Sequence, residues 1–415
     1  MPIDRDQAQV SQWQAEDGQA IEFLLRLGRA LHTYGSAAHR VEDVLGHAAQ
    51  KIGLESQFFS TPTSIFAAFG PQGAQRTFLI RVEPGEVNLG KLADLDQVMR
   101  SVLQGQLSPA QGSTAIDAIL SAPPKYGRLL AVFSFGLLSA ATSRFLGGGS
   151  KEMLVSAFIG LLTGLFSLAA ERSRPLARIF VPVAALAASA SAAMISKWYA
   201  PHATHITTLA GIIALLPGLS LTVAMAELST QHLAAGTARL TGAAMTFLEI
   251  VFGIALGQQL IASSLGRVVV TNPVPLPTWT EYLALAIAPL AFTIVLRAHL
   301  RDAVWIVLTG ALAIIGSRAG AHWLNPELGV FLGAMAIGVA SNLFARVFNR
   351  PSVITWVPSL LLLVPGSVGF RSLTSLLDEK VILGVETAFK MILIAVALVA
   401  GTLFANVILP PRKLS

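Results

Sequence analysis

Two Pro-Gly pairs lie in apolar segments of this chain, and they are its residues best suited to bind a polar solute in an apolar environment. Pro217 and Gly218 lie in "IIALLPGLSLTVAMAE", and Pro365 and Gly366 lie in "LLVPGSVGF". Proline removes a helical hydrogen bond and glycine frees the backbone, so each pair predicts a broken helix. The N–H groups after each break begin a new half-helix, whose positive end suits a carboxylate. The two pairs therefore predict a site that can bind an anionic group.

Each proline also removes the donor for a carbonyl group four residues earlier, at Ile213 and Leu361. In hydrocarbon an unsatisfied carbonyl costs several kcal/mol. We therefore expect each break to face a wet cavity or a bound substrate.

Small polar side chains accompany both pairs. Ser220, Thr222 and Ser367 supply hydroxyl groups that can bind a polar substrate, and Gly369 joins the glycines of the two pairs in permitting close approach. A proline kink that only shapes packing is the simpler explanation for one pair. Two pairs at matched positions favour a binding site.

Ionisable residues inside apolar segments are candidate coupling or charge-pairing groups. Glu249 lies near the centre of its segment, where it can carry a coupling proton, bind a substrate ammonium or pair with a neighbouring helix. Glu386 and Lys390 are one helical turn apart, which favours a structural ion pair. Glu227 and Arg371 follow the two Pro-Gly pairs and are expected to line a vestibule or to mark a membrane boundary.

The sequence lacks the residues that several other chemistries require. The chain has no cysteine, which excludes disulfides and thiolate catalysis. It contains neither HExxH nor GxSxG, and His32, His39 and His47 do not have the spacing of a metal site. We expect no enzyme, no metal and no cofactor.

Composition divides the chain into two parts. Hydrophobic residues make up 53% and charged residues 13%, against about 25% charged in an ordinary soluble protein. Residues 1–125 carry a net charge of −3 and residues 126–415 a net charge of +9. The first part is typical of a soluble domain and the second of a membrane protein. Because the basic residues are spread between apolar segments, nucleic-acid binding is not expected.

The soluble part is predicted to be a small α+β domain. Residues 1–18 are expected to form a flexible tail, and residues 19–125 a cytoplasmic domain of helices and a short sheet. Ser108 precedes Pro109 in the pattern of a helix N-cap.

About ten apolar segments follow, each long enough to cross a bilayer. If the N-terminus lies in the cytoplasm, the segments flanking the spans on that side contain more Lys and Arg than the segments on the outer side. We therefore expect both termini in the cytoplasm and a multi-pass protein of the plasma (inner) membrane. The predicted spans lie near 128–146, 153–170, 176–195, 206–226, 239–264, 281–297, 303–319, 325–345, 353–373 and 381–408.

The second five spans repeat the first five. Each Pro-Gly pair is followed by a polar connector and a long span that ends alike, "FLEIVFGIALG" and "MILIAVALVAG". Because five is odd, the second copy enters the membrane from the opposite side, as in secondary transporters whose site lies at the midplane. The predicted fold is mainly α, with repeats at 126–264 and 281–410 and an outer loop at 265–280. "GIALG", "GSRAG" and "GVFLG" predict close helix packing.

In these motifs the chain resembles the threonine/serine exporter family along nearly its whole length. The stretch "LLRLGRALHTYGSAAHRVEDVLGHAAQKIGLESQFFSTPTSI", then "VNLGKLADLD" and "ILSAPPKYGRLL", is similar to the family's cytoplasmic domain. "LLPGLSLT" and "LVPGSVGFRSL" are similar to its two membrane signatures, the second in the half that some relatives encode separately.

The resemblance implies proton-driven export of small hydroxy amino acids. The family pattern has an Asn and an Asp after the first Pro-Gly, where this chain has Val223 and Glu227. That departure concerns the substrate more than the fold, and split relatives are associated with dicarboxylates. Export of a succinate-like substrate therefore remains an alternative.

Two further alternatives belong to other classes. A passive channel requires rings of like charge, which the sequence lacks, and a membrane sensor binds its ligand without moving it. The N-terminal domain is expected to gate the inner mouth or to serve assembly, and a homo-oligomer stays open.

Overall fold

The structure is a computed structural model with two parts, an N-terminal domain and a bundle of apolar helices. It describes residues 5–71, 73, 75–83, 85–266, 271–364, 366, 368, 369, 372, 375 and 381–411, with side chains from residue 17 onward.

The N-terminal domain is α+β, as predicted. Its first helix begins at Arg5, inside the segment for which the sequence predicts a flexible tail. The strands form one antiparallel sheet in the order β1-β2-β3. The elements are α1 (Arg5–Thr33), α2 (Ala38–Ile52), β1 (Ser56–Thr61), β2 (Ser64–Phe69), β3 (Arg76–Arg81), α3 (Leu89–Leu103) and α4 (Pro109–Ser121).

Alternating side chains of β2 place one face of the sheet in the core. Ile65, Ala67 and Phe69 are buried and share a cluster with Phe23 and Leu27 of α1. This alternation is what the β-branched and aromatic runs in the sequence predict.

The predicted N-cap of α4 is confirmed. The Ser108 side chain accepts a hydrogen bond from the Gln111 N–H at 3.2 Å, and the Gln111 side chain accepts one from the Ser108 N–H at 2.9 Å. This reciprocal pair is a capping box with Pro109 in the first turn.

The second part consists of helices joined by loops, with no strand among its described residues. Two short 3₁₀ turns, at Ile213–Leu215 and Leu300–Asp302, interrupt the α-helices. The helices are α5 (Arg128–Phe145), α6 (Ser150–Arg172), α7 (Arg174–Trp198), α8 (Thr204–Gly211), α9 (Gly218–Ser229), α10 (Leu233–Leu265), α11 (Trp279–Val295), α12 (Ala303–Trp323), α13 (Pro326–Phe348), α14 (Val353–Leu361) and α15 (Val381–Ile408).

Helix length and hydropathy support a multi-pass membrane protein. Within the described residues, six helices are long and apolar enough to cross a membrane, or seven if α8 and the bent segment after it count as one span. Helix α11 is apolar but shorter, and α5 is not among the six. The ten-span arrangement stays a prediction.

Small residues bring the long helices together where the sequence predicts it. Gly253 and Gly257 of α10 lie against the backbone of α7, so closely that an added Cβ would overlap it. On α12, a Cβ added to Gly320 would overlap the backbone of α13 at Gly329, and one added to Gly316 would lie 3.1 Å from Cα of Gly333. The "GIALG", "GSRAG" and "GVFLG" patterns are therefore packing motifs.

The N-terminal domain docks end to end on the helical bundle. The first two N–H groups of α3, at Leu89 and Gly90, donate to the carbonyls of Leu296 and Arg297 at 2.9 and 3.1 Å. These carbonyls follow the C-terminus of α11, so the positive end of one helix meets the negative end of another. The N-terminal domain is therefore fixed on one end of the bundle.

Candidate functional site

The first Pro-Gly pair breaks a helix, as predicted. Helix α8 ends at Gly211, and the segment that follows is bent by 51° from it. Pro217 is the central residue of a three-residue turn in which the Gly218 N–H donates to the Leu216 carbonyl at 2.8 Å. Helix α9 then begins at Gly218.

The carbonyl groups at this break have partners. Pro217 supplies no donor to the Ile213 carbonyl, as predicted, but that carbonyl accepts a bond from the Leu216 N–H at 3.3 Å in the 3₁₀ turn. The carbonyl of Gly211 accepts bonds from the hydroxyls of Thr163 at 3.1 Å and Ser139 at 3.5 Å. Hydroxyl groups of α5 and α6 therefore supply hydrogen bonds that we expected from water or a bound substrate.

The two Pro-Gly pairs lie against each other. A Cβ added to Gly218 would overlap Cγ1 of Val364, which precedes the second proline. A Cβ added to Gly366 would lie 3.3 Å from Cβ of Leu216, which precedes the first. The contact is reciprocal, because in each pair the glycine receives the residue that precedes the other proline. Glycine is therefore needed at 218 for the two segments to approach.

The polar groups at the start of α9 differ in whether they have a hydrogen-bond partner. The Thr222 hydroxyl is buried and donates to the Gly218 carbonyl at 3.1 Å. Ser220 is half-buried. Its hydroxyl and the N–H groups of Leu219 and Ser220 have no hydrogen-bond partner among the described residues. These three donors near the first break are therefore unpaired among the described residues.

The rest of the second predicted motif is only partly described. Gly369 is buried and packs closely against Phe247 of α10 and Met391 of α15. Pro365, Ser367 and Arg371 lie outside the described residues. The described part of this segment is therefore packed between two long helices.

Glu249 lies on α10 away from Phe247. It is half-buried, beside the exposed side chains of Met245 and Phe252, one turn before and after it. No described residue pairs with its carboxylate. The structure brings Glu249 to neither Pro-Gly pair through a direct contact among the described residues.

Glu386 and Lys390 form the ion pair that their spacing predicts. Their Oε1 and Nζ atoms are 2.8 Å apart, and both side chains are about half exposed on α15. An exposed pair of this kind contributes little to stability, because water and salt screen it. The geometry agrees with the structural interpretation.

Glu227 lies at the junction between α9 and the N-terminal domain. Its side chain is fully buried. One oxygen accepts the N–H of Ala38, the first residue of α2, at 2.9 Å. The guanidinium of Arg239 on α10 donates to both oxygens, at 3.0 and 3.2 Å. A carboxylate at a helix N-terminus is favourable, so Glu227 connects the broken helix to the domain.

Histidines gather beside this junction. The rings of His39 and His232 are 5.6 Å apart between centroids, and His232 Nε2 lies 3.4 Å from a Glu42 carboxylate oxygen. Burial lowers the pKa of His39, although the charge of Glu227 opposes that shift. Burial also lowers the pKa of His32, whose Nε2 lies 2.6 Å from the Thr61 carbonyl oxygen. No group of three metal-ligating side chains occurs among the described residues.

The lowered pKa of His39 predicts a loss of stability in acid. Its pKa in the folded protein lies below the ordinary value of about 6.5, so the unfolded chain binds more protons between the two values. The contribution to stability is therefore complete above about pH 6.5 and is lost as the pH falls below it. Thermal unfolding from about pH 8 to about pH 5.5 should show a smaller decrease in Tm for His39→Gln than for the wild type. The exposed His322→Gln variant is the control, and an equal decrease in all three proteins would contradict this role.

Comparison with protein families assigns the chain. A family model described as "Putative threonine/serine exporter" matches residues 22–261, and one described as "Threonine/Serine exporter, ThrE" matches residues 281–408. The chain belongs to the threonine/serine exporter family. It carries both family regions in one fused chain and is a multi-pass membrane protein, which confirms the resemblance seen in the sequence motifs. The family is one of exporters and not an enzyme class.

Curated relatives of this chain are fungal membrane proteins. "Pheromone-regulated membrane protein 10" of Saccharomyces cerevisiae is 27% identical over 86% of this chain and 47% of the yeast protein. The proteins of that name in Debaryomyces hansenii and Candida albicans are 24% and 25% identical, over 89% and 84% of this chain and 37% and 33% of their own lengths. The chain thus spans less than half the length of these relatives. No solved structure matches it.

Sequence reasoning missed the residues that connect the N-terminal domain to the helical bundle. Arg239, His232 and Ala38 contribute to the junction around Glu227, yet none of them stands out by spacing or motif. The signal available was Glu227 itself, an acid ten residues beyond Pro217. Its partners come from distant parts of the chain, which a local pattern does not reveal.

Proposed function

We propose that this chain exports threonine and serine by proton-coupled secondary transport, through a site between its two Pro-Gly pairs. The observation that carries the proposal is the reciprocal contact of Gly218 with Val364 and of Gly366 with Leu216. Open donors at Leu219 and Ser220 lie directly beside it.

The chemistry of a hydroxy amino acid suits these groups. The N–H groups of Leu219 and Ser220 at the start of α9 favour the substrate carboxylate, because a helix N-terminus carries partial positive charge. The Ser220 hydroxyl can pair with the substrate hydroxyl. Carbonyls at the break are the proposed partners of the ammonium group.

Matched helix packing supports an inverted repeat of five spans and five spans. The first helices of the two halves, α5 and α11, pack against each other, as a two-fold axis between the halves requires. The other contacts recur in both halves: α6 with α8 and α12 with α14, α7 with α8 and α13 with α14, and α7 with α10 and α13 with α15.

An acidic residue occupies a similar place in each half. Glu152 begins α6 and accepts the N–H of Ala203, just before α8, at 3.0 Å. Asp302 immediately precedes α12 and pairs with Arg350, just before α14. Both carboxylates are buried. The parallel supports two copies of one fold. The distribution of Lys and Arg is the support for the proposal that both termini and the N-terminal domain lie in the cytoplasm.

Counterflow in proteoliposomes tests the substrate. Vesicles loaded with unlabelled threonine should take up labelled serine and threonine above the level of protein-free vesicles, and should not take up succinate. Counterflow of succinate alone would replace the amino-acid proposal with dicarboxylate export. Flux that neither saturates nor depends on a gradient would identify a passive channel, and binding without flux a sensor.

Coupling is expected to depend on Glu249. Replacement by glutamine keeps the shape of the side chain and removes its ability to carry a proton. Glu249→Gln should therefore abolish efflux driven by a pH gradient and leave counterflow in place. Glu386→Gln, which alters an exposed acid on α15, is the matched control and should retain driven efflux. Normal driven efflux in Glu249→Gln would remove that residue from the coupling role.

A further inference from the structure

We propose that a pocket between the N-terminal domain and the ends of α12 and α13 binds the phosphate group of an anionic phospholipid. The pocket has a volume of about 610 Å³, which is within the range of ligand sites. Its walls come from α3, from the residues around the start of α12 and from the segment after α13. It is separate from the Pro-Gly pairs and does not depend on their function.

Three arginines line this pocket from three parts of the chain, namely Arg100, Arg301 and Arg350. Arg100 pairs with Asp96 at 2.7 Å, and Arg350 pairs with Asp302. Arg301 is exposed and forms no salt bridge with any described residue. One guanidinium therefore remains uncompensated, and a guanidinium is the group best suited to a phosphate.

Further donors point to an anion. The Nη2 group of Arg350 is buried and has no hydrogen-bond partner among the described residues. The side chains of Gln97, Gln104 and Gln106 add amide groups to the wall. Buried donors without acceptors are rare in folded proteins, so the pocket is equipped for a ligand that accepts hydrogen bonds.

The opposite wall is aromatic and continues into apolar surface. Trp305 and Phe348 lie 4.7 Å apart between ring centroids, and both are more than a third exposed. The same two helices carry exposed apolar side chains near the pocket, including Val304, Leu308 and Val347. A lipid whose phosphate binds the arginines would place its acyl chains along this surface, whereas a soluble phosphate makes no contact with it. The apolar continuation therefore favours a lipid.

Titration of the delipidated full-length protein in detergent tests the proposal. Dioctanoyl-phosphatidylglycerol should raise the Tm saturably, whereas dioctanoyl-phosphatidylcholine and inorganic phosphate should have little effect. Arg301→Gln should weaken phosphatidylglycerol binding about fivefold, as expected for one surface arginine. Gln97→Glu should weaken it similarly, because the new carboxylate repels the phosphate.

Arg178→Gln is the matched control, since Arg178 is an exposed arginine near the start of α7, outside the pocket. Both pocket variants alter exposed side chains, so their Tm without lipid should equal that of the control. The proposal is overturned if the pocket variants and the control bind phosphatidylglycerol equally. Saturable, Arg301-dependent binding of inorganic phosphate would keep the anion site but would assign it to a soluble ligand and overturn the lipid.

Discussion

Replacing Gly218 with alanine should reduce transport at least about tenfold while the protein still reaches the membrane. The added methyl group would overlap Cγ1 of Val364 and force the two Pro-Gly segments apart. Overpacking of this kind costs about 1–3 kcal/mol, which a long membrane bundle tolerates more readily than a precisely shaped site. The measurement is counterflow of labelled threonine in proteoliposomes, normalised to the amount of inserted protein.

Gly242→Ala supplies the matched control, because a Cβ at Gly242 on α10 meets nothing within 4 Å. Val364→Ala in the Gly218→Ala background removes the colliding methyl groups and should restore much of the activity. Restoration by the second change assigns the loss to this contact, since substitutions in contact are not additive. Equal transport by the Gly218→Ala and Gly242→Ala variants would show that the close approach is not required.

Replacing Glu227 with glutamine should loosen the N-terminal domain from the bundle. The change removes a buried charge that accepts the Ala38 N–H and pairs with Arg239, whose side chain is only 19% exposed. Loss of one partner from a buried ion pair costs about 3–5 kcal/mol. Amide exchange at the start of α2 should therefore accelerate by at least about tenfold, and the Tm should fall.

Glu386→Gln is the control for charge removal, because its ion pair is exposed and should change the Tm little. Glu227→Gln combined with Arg239→Gln should be less destabilised than Glu227→Gln alone, since no uncompensated guanidinium remains. If the double variant loses as much stability as the sum of the two single variants, Glu227 and Arg239 are not coupled.

Local features of the fold could be predicted from the sequence. The capping box at Ser108 depends on residues three apart, and the break at Pro217 depends on the missing N–H of one residue. The close packing of α10 on α7 followed from the spacing of Gly253 and Gly257. In each case the signal lies within one helical turn or two, where periodicity determines which groups meet.

The candidate site could be predicted only in part. Its location at the Pro-Gly pairs followed from backbone chemistry, but the contact of Leu216 with Gly366 joins segments far apart in the chain. The satisfaction of the Gly211 carbonyl by Thr163 likewise depends on how α6 lies beside α8. Helix pairing is set by the packing of the whole bundle, and a single sequence without tertiary contacts does not contain it.

Helix α9 is held at two points. Gly218 meets the second Pro-Gly segment at its start, and Glu227 holds the N-terminal domain nine residues later, about 14 Å along a helix. A helix this short transmits displacement without bending much. A displacement of the N-terminal domain at Glu227 would therefore be passed along α9 to the break at Pro217. For a broken segment that exchanges between two conformations, each 1.4 kcal/mol of coupling free energy would shift their ratio about tenfold. The free energy of docking at Glu227 sets the upper limit of that coupling.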